Sequence, residues 1–117
     1  DVNVGIGDDA AIINIAPNKL LAVTMDTLIA GVHFPAHTTA FDIGYKALAV
    51  NLSDLAAMGA TPAWMMLALT IPEINHDWLQ AFTNGLFTIA NEFNVQLIGG
   101  DTTRGSLSIS IQLTGMI

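Results

Sequence analysis

The aspartates of this chain stand where apolar segments break. Gly5-Ile-Gly-Asp-Asp9, Thr24-Met-Asp-Thr27, Asn51-Leu-Ser-Asp54 and Gly99-Gly-Asp-Thr102 each pair aspartate with glycine, a hydroxyl or an amide, and Arg104-Gly105 follows the last of them. Hydrophobic residues make up 52% of the sequence and charged residues only 11%, so these acids fold into apolar surroundings. Burying an unpaired carboxylate costs on the order of several kcal/mol. Ten acidic residues share three basic ones, Lys19, Lys46 and Arg104. Another source of positive charge is needed, and hard divalent cations, which prefer oxygen ligands, are the simplest. The pattern is that of a site holding phosphates through Mg²⁺.

The acidic balance narrows the partners. A net charge of −7 and a pI near 4.3 argue against nucleic acid or an anionic membrane. They also exclude a large basic phosphate cradle, so a polyphosphate has to arrive with metal ions. The absence of cysteine removes any disulfide framework or zinc thiolate site and points to a cytoplasmic protein. Residues 55–72 carry no charge, but Gly59 and Pro62 interrupt them, which argues against a membrane span. A length of 117 residues fits one domain with a core. A mean hydropathy of +0.56 is high for a soluble monomer. The sequence also stops inside the apolar stretch Thr114-Gly-Met-Ile117. Both features predict a piece of a larger assembly, its apolar faces covered by another domain or a second subunit.

Periodicity gives the elements. Asp9 to Ala16 reads as a strand closed by Pro17-Asn18, and Leu20 to Thr27 as a second strand. Residues 29–39 read as a loop. Thr39-Ala-Phe-Asp42 resembles a capping box and opens a helix from about Phe41 to Met58, with Gly59 at C′. Ala63 to Ile71 is a strand whose continuous apolar character predicts burial on both faces. Asn75 caps a helix over about His76 to Phe93. Val95 to Gly99 is a strand, and Ser106 to Leu113 alternates strictly, giving a strand with one polar and one apolar face. The order β-β-α-β-α-β-β predicts an α/β (α+β) domain, with two helices on one face of a mixed sheet.

Each motif alone admits a bland reading. Gly5 to Asp9 fits a tight turn with solvated acids, and Thr24 to Thr27 a polar strand terminus. Asp54 fits the solvated face of an amphipathic helix, although Asn51 shares its face and apolar neighbours surround it. Gly99 to Gly105 fits a hairpin turn before the last strand. No histidine pair among His33, His37 and His76 has helical ligand spacing, so zinc is set aside. Met65, Met66 and the two tryptophans read as core.

Taken together and in order, the motifs are specific. Gly5-Ile-Gly-Asp-Asp-Ala-Ala11, Met25-Asp-Thr-Leu-Ile-Ala-Gly-Val-His-Phe34, Lys46-Ala-Leu-Ala-Val-Asn-Leu-Ser-Asp-Leu-Ala-Ala-Met-Gly-Ala60 and Leu97-Ile-Gly-Gly-Asp-Thr-Thr-Arg-Gly105 closely resemble the thiamine-monophosphate kinase family. That family lies within the aminoimidazole-ribonucleotide-synthetase-like superfamily. The resemblance covers nearly the whole chain and corresponds to the family's N-terminal domain, with a C-terminal domain expected elsewhere.

The resemblance implies ATP-dependent phosphorylation of thiamine phosphate to thiamine diphosphate, by direct Mg²⁺-assisted transfer. It implies no dedicated catalytic side chain, because the attacking phosphate is already a nucleophile. Asp9, Asp26, Asp54 and Asp101 match Mg²⁺-binding acids, and Thr24 a hydroxyl ligand. Gly100 and Asp101 match the nucleotide site, and His33 a substrate contact. Met25 stands where the family usually has a hydroxylated residue, so a metal contact there is left to its backbone carbonyl. A homodimer whose sheets pair into a closed barrel is implied as well. Ligands shared by bridging Mg²⁺ are expected within about 4–8 Å of one another. Two other readings stay open: a sibling ATP-dependent synthetase, and a non-catalytic dimerising fragment that binds metal and nucleotide weakly.

Overall fold

The elements follow from where the apolar residues fall and where the chain can turn. The structure, a computed structural model, describes residues 2–4 and 10–117. Strands β1 (Val2–Val4) and β2 (Ile12–Ile13) pair antiparallel as a small ribbon. Strand β3 (Leu21–Ile29), helix α1 (Ala40–Ala57), strand β4 (Thr61–Ile71), helix α2 (His76–Glu92), strand β5 (Gln96–Arg104) and strand β6 (Ser108–Met116) follow. The main sheet has the order β3-β6-β4-β5. Strand β6 is antiparallel to both of its neighbours, and β4 and β5 are parallel. The parallel pair needs a crossover, which α2 supplies.

The helix ends are set by named caps. The Thr39 hydroxyl accepts from the Asp42 backbone N–H at 3.2 Å, and Asn75 Oδ1 accepts from the Trp78 N–H at 3.0 Å. These side chains satisfy donors that a helix start leaves open. Helix α1 stops at Gly59, whose φ of +72° lets Ala60 N–H reach back to the Leu55 carbonyl at 3.3 Å. The helices touch backbone to backbone: a Cβ at Gly44 would overlap the Phe82 carbonyl, and one at Gly85 the Phe41 carbonyl. This contact lets Ile43, Ala47, Leu48 and Leu55 of α1, and Phe82, Leu86 and Ile89 of α2, join Met65, Ile109, Ile111 and Leu113 of the sheet in one buried core. Each large apolar side chain fully buried there contributes about 1.5–3 kcal/mol.

The mixed sheet with two helices is the architecture expected from the sequence, with differences of detail. Strand β3 runs on to Ile29, so Thr24 to Thr27 lie in mid-strand rather than at its end. Strand β5 runs on to Arg104, so Gly99 to Thr102 are strand rather than turn. No hairpin joins β5 to β6, because β4 lies between them in the sheet. The glycines explain the extra length. The register slips between Met65↔Leu97 and Met66↔Gly99, and a Cβ at Gly100 would overlap the Leu67 carbonyl. Backbone comes too close to backbone there for any other residue. Strand β4 buries one face along its length, with Met65, Leu69 and Ile71 in the core, while on the other Trp64 is buried but Met66 and Ala68 are exposed.

Candidate functional site

The site is built on β3 and α1. Strand geometry sends Ala22, Thr24, Asp26 and Leu28 to one face of the sheet and Leu21, Val23, Met25, Thr27 and Ile29 to the other. The first set is buried or half-buried and the second exposed. Helix α1 packs over the first set. Thr24 Oγ1 donates to Asn51 Oδ1 at 2.9 Å, and the Asn51 amide donates to the Ala47 carbonyl at 3.2 Å. Two residues on from Thr24, the Asp26 carboxyl lies within hydrogen-bonding reach of Asp54.

Two carboxylates side by side carry only acceptors when ionised. Accordingly, Asp26 Oδ2 is buried and has no hydrogen-bond donor among the described residues. Burial raises the Asp26 pKa above the ordinary aspartate value, and the adjacent Asp54 raises it further, while His33 opposes the shift. A buried, orphaned carboxylate oxygen facing a second carboxylate is what a divalent cation stabilises. With the Thr24 hydroxyl oxygen beside them, the donors are all hard oxygens, and they fit Mg²⁺.

His33 is held over the same region. Its Nδ1 accepts from the Ile29 N–H at 2.9 Å. The Lys46 ammonium donates to the His33 carbonyl at 2.8 Å. A neutral imidazole with Nδ1 as acceptor carries its proton on Nε2, so His33 offers a donor to a substrate oxygen. The loop that presents it closes through Gly31, at φ +80°, with Gly31 N–H donating to the Phe34 carbonyl at 2.8 Å.

Asp101 lies elsewhere. Asp26 stands opposite Ile111, Ile111 opposite Leu67, and Leu67 opposite Gly100. Three strand spacings separate Asp26 from Gly100, about 14 Å. The row Thr27–Ser110–Ala68–Asp101 shares the outer face, where the Thr27 and Ser110 hydroxyls meet at 2.8 Å. Asp101 is therefore across the sheet from Asp26 and on its other face. Among the described residues no three of His, Cys, Asp or Glu come together as a metal-binding group. This corrects the expected cluster of aspartates within 4–8 Å: the structure pairs Asp26 with Asp54 and separates Asp101 from both. The glycines carry β5 past Asp101, and the pleat turns that side chain outward. Asp9 and the rest of the Gly5–Asp9 motif lie outside the described residues.

Asp101 and Gly100 line an outer-face cavity of about 410 Å³, with Met25, Met66, Ser110 and Gln112 among its other walls. The Asp101 Oδ1 accepts from the Thr102 N–H at 2.9 Å. The Met25 side chain is 67% exposed on this face, turned away from Thr24 and Asp26. Sequence reasoning did not single out Ser110 and Gln112. The strict alternation of the last strand was their signal, because its polar half had to face something.

Comparison with known proteins bears on this geometry. Residues 7–117 match the family model described as AIR synthase related protein, N-terminal domain. The chain is 56% identical, over all of its 117 residues, to thiamine-monophosphate kinase of Salmonella typhimurium, and covers 36% of that relative. It superposes on the crystal structure of thiamine-monophosphate kinase from Stenotrophomonas maltophilia K279a with a TM-score of 0.94 and 58% identity, covering all of this chain and 37% of that one. A structure described as AaThiL complexed with AMPPCP and TMP aligns with a TM-score of 0.82 and 30% identity, over 88% of this chain and 34% of that one. The chain thus spans about a third of the length of these relatives.

Proposed function

The chain belongs to the AIR synthase related protein family as its N-terminal domain, and from that premise we propose that it is the nucleotide- and metal-binding domain of a thiamine-phosphate kinase. The reaction is transfer of the γ-phosphoryl group of ATP to the phosphate of thiamine phosphate. The observation that carries this reading is the buried Asp26 Oδ2, without a donor among the described residues and facing Asp54. The identity with named kinases over the full chain supports it. So does the relative bound to AMPPCP and TMP.

Asp26, Asp54 and the Thr24 hydroxyl would hold Mg²⁺, joined by Asp9. When bound, Mg²⁺ neutralises phosphate charge and holds phosphate oxygens in place. Gly100 lets backbone approach the nucleotide, and Asp101 faces it from the outer-face cavity. Asp101 would serve there as a cation ligand, across the sheet from Asp26. The Met25 contact is left to its carbonyl, since its side chain faces away. His33 donates Nε2–H to the acceptor substrate. An oxygen of the thiamine phosphate attacks the γ-phosphorus as the bond to the β-phosphate oxygen breaks, with no phosphoenzyme. The domain's share of the work is placement and exclusion of water, so no general base is assigned.

The exposed apolar row Leu21, Val23, Met25 and Ile29 is assigned to a second copy of the domain, giving a homodimer in which two sheets close a barrel. A further C-terminal domain completes the chain. Among the described residues no helix is long and apolar enough to cross a membrane. The test is incubation of the full-length protein with ATP, Mg²⁺ and thiamine phosphate. Thiamine diphosphate and ADP in equal amounts are expected. ADP and inorganic phosphate without thiamine diphosphate would transfer the reading to a sibling synthetase.

A further inference from the structure

Asn51 is fully buried on the α1 face that meets the acid pair. A buried amide is costly unless both of its ends are satisfied, and both are. Nδ2 donates to the Ala47 carbonyl, which fixes which end of the amide faces β3. That end is Oδ1, an acceptor, and the hydroxyl of Thr24 donates to it at 2.9 Å. A threonine hydroxyl has one proton and two lone pairs. With the proton given to Asn51, only lone pairs remain for other neighbours. Asp26 follows two residues later on the same strand face.

We propose that Asn51 is a positioning residue for the cation site: it holds the Thr24 hydroxyl proton away from the acid pair, so that Thr24 Oγ1 meets a divalent cation as a pure donor of lone pairs. Without Asn51, the strongest acceptors near that hydroxyl are carboxylates. The Thr24 O–H is then free to turn its hydrogen bond toward a carboxylate, and the hydroxyl changes from a ligand into a competitor for the acid's own lone pairs. The inference rests on the reading of Asp26 and Asp54 as a divalent-cation site. It explains why the helix spends a fully buried position on an amide when leucine would pack there without a polar cost.

The test is a double-mutant cycle on the full-length protein with Mn²⁺ as the probe, its free concentration read by electron paramagnetic resonance. Partners that orient a metal ligand typically change affinity by about 10–100-fold. Asn51→Ala is expected to weaken Mn²⁺ binding by that much, and Thr24→Val comparably. Asn51→Ala is expected to add nothing in the Thr24→Val background, and Thr24→Ser to keep wild-type affinity. Should Asn51→Ala not fold, Asn51→Ser gives the same comparison. Unchanged affinity in the Asn51 variant, or an equal loss with and without Thr24→Val, overturns the positioning role. Asp26→Asn separates the two levels: loss of Mn²⁺ binding upholds the site, whereas unchanged binding overturns the site and this inference with it.

Discussion

Alternate residues of β3 serve two different surfaces. On the inner face, Thr24 meets Asn51 of α1 at 2.9 Å, Asp26 lies within hydrogen-bonding reach of Asp54, and a buried Asp26 oxygen has no donor among the described residues. On the outer face, Val23 and Met25 are more than half exposed, and Asp101 shares that face from the far edge of the sheet. The inner face is closed by this chain's own helix, whereas the outer face leaves its apolar side chains open. A single strand builds both because its side chains alternate. A one-residue slip in register would exchange them, burying Met25 against Asn51 and exposing Asp26.

The largest effect is expected where the inner face loses half of its acid pair. Asp54→Asn in the full-length protein should lower the rate of thiamine diphosphate formation by more than about 100-fold, the upper range for mere support of a metal ligand. Its metal-free melting temperature should hold or rise, since a like charge beside Asp26 is removed. A variant that melts early yet turns over normally when folded would make Asp54 structural and erase the contrast between the faces.

The outer face is broken by charge. Val23→Asp is expected to convert a dimer into monomers in sedimentation velocity, because an interface of the obligate kind buries more than about 2,000 Å² and is strongly apolar. Wild-type protein that sediments as a stable monomer at micromolar concentration would show that the outer face is covered in some other way.

A subtler effect is expected from acid titration. Asp26 has a raised pKa in the folded protein, from burial and then from Asp54. The folded state therefore holds the proton more tightly than the unfolded chain does. Its stabilising share is complete below the ordinary value near 3.8 and is lost as pH rises through the higher folded value. Metal-free wild type should lose melting temperature across that window, and Asp26→Asn should lose less. An identical pH slope in the two proteins would place Asp26 in ordinary solvent.

The smallest effect is spectroscopic. Nitrogen NMR of neutral His33 should show the proton on Nε2, because Ile29 N–H occupies Nδ1. A proton on Nδ1 would free the ring from the loop and remove it as a preset donor.

The sequence carried the inner face further than the outer one. Helical spacing put Asn51 and Asp54 on one helix face, and the pairing of aspartate with hydroxyls in apolar segments flagged Thr24 and Asp26. These are local signals, read within a few residues. The caps at Thr39 and Asn75 and the stop at Gly59 were local too. The place of Asp101 was not legible, because it depends on sheet order: β4 and β6 stand between β3 and β5, and no periodicity reports strand order. The length of β5 was missed because glycine reads as punctuation, while here Gly99 and Gly100 permit a bulge and a close backbone approach within a strand. The exposed half of β4 was missed for a related reason. Its continuous apolar run reads as burial on both sides, whereas α1 covers only the inner one and Met66 and Ala68 stay exposed.

The most direct measurement is the change in melting temperature of the full-length protein and of Asp26→Asn as Mg²⁺ is added without nucleotide. A ligand that binds only the folded state stabilises it by about 2.7 kcal/mol at one hundred times its dissociation constant. Wild type should therefore gain several degrees with saturating Mg²⁺, and Asp26→Asn should gain little from a higher metal-free starting point. Equal gains in the two proteins, or none in wild type, would contradict the assignment of Asp26 and Asp54 as a divalent-cation site.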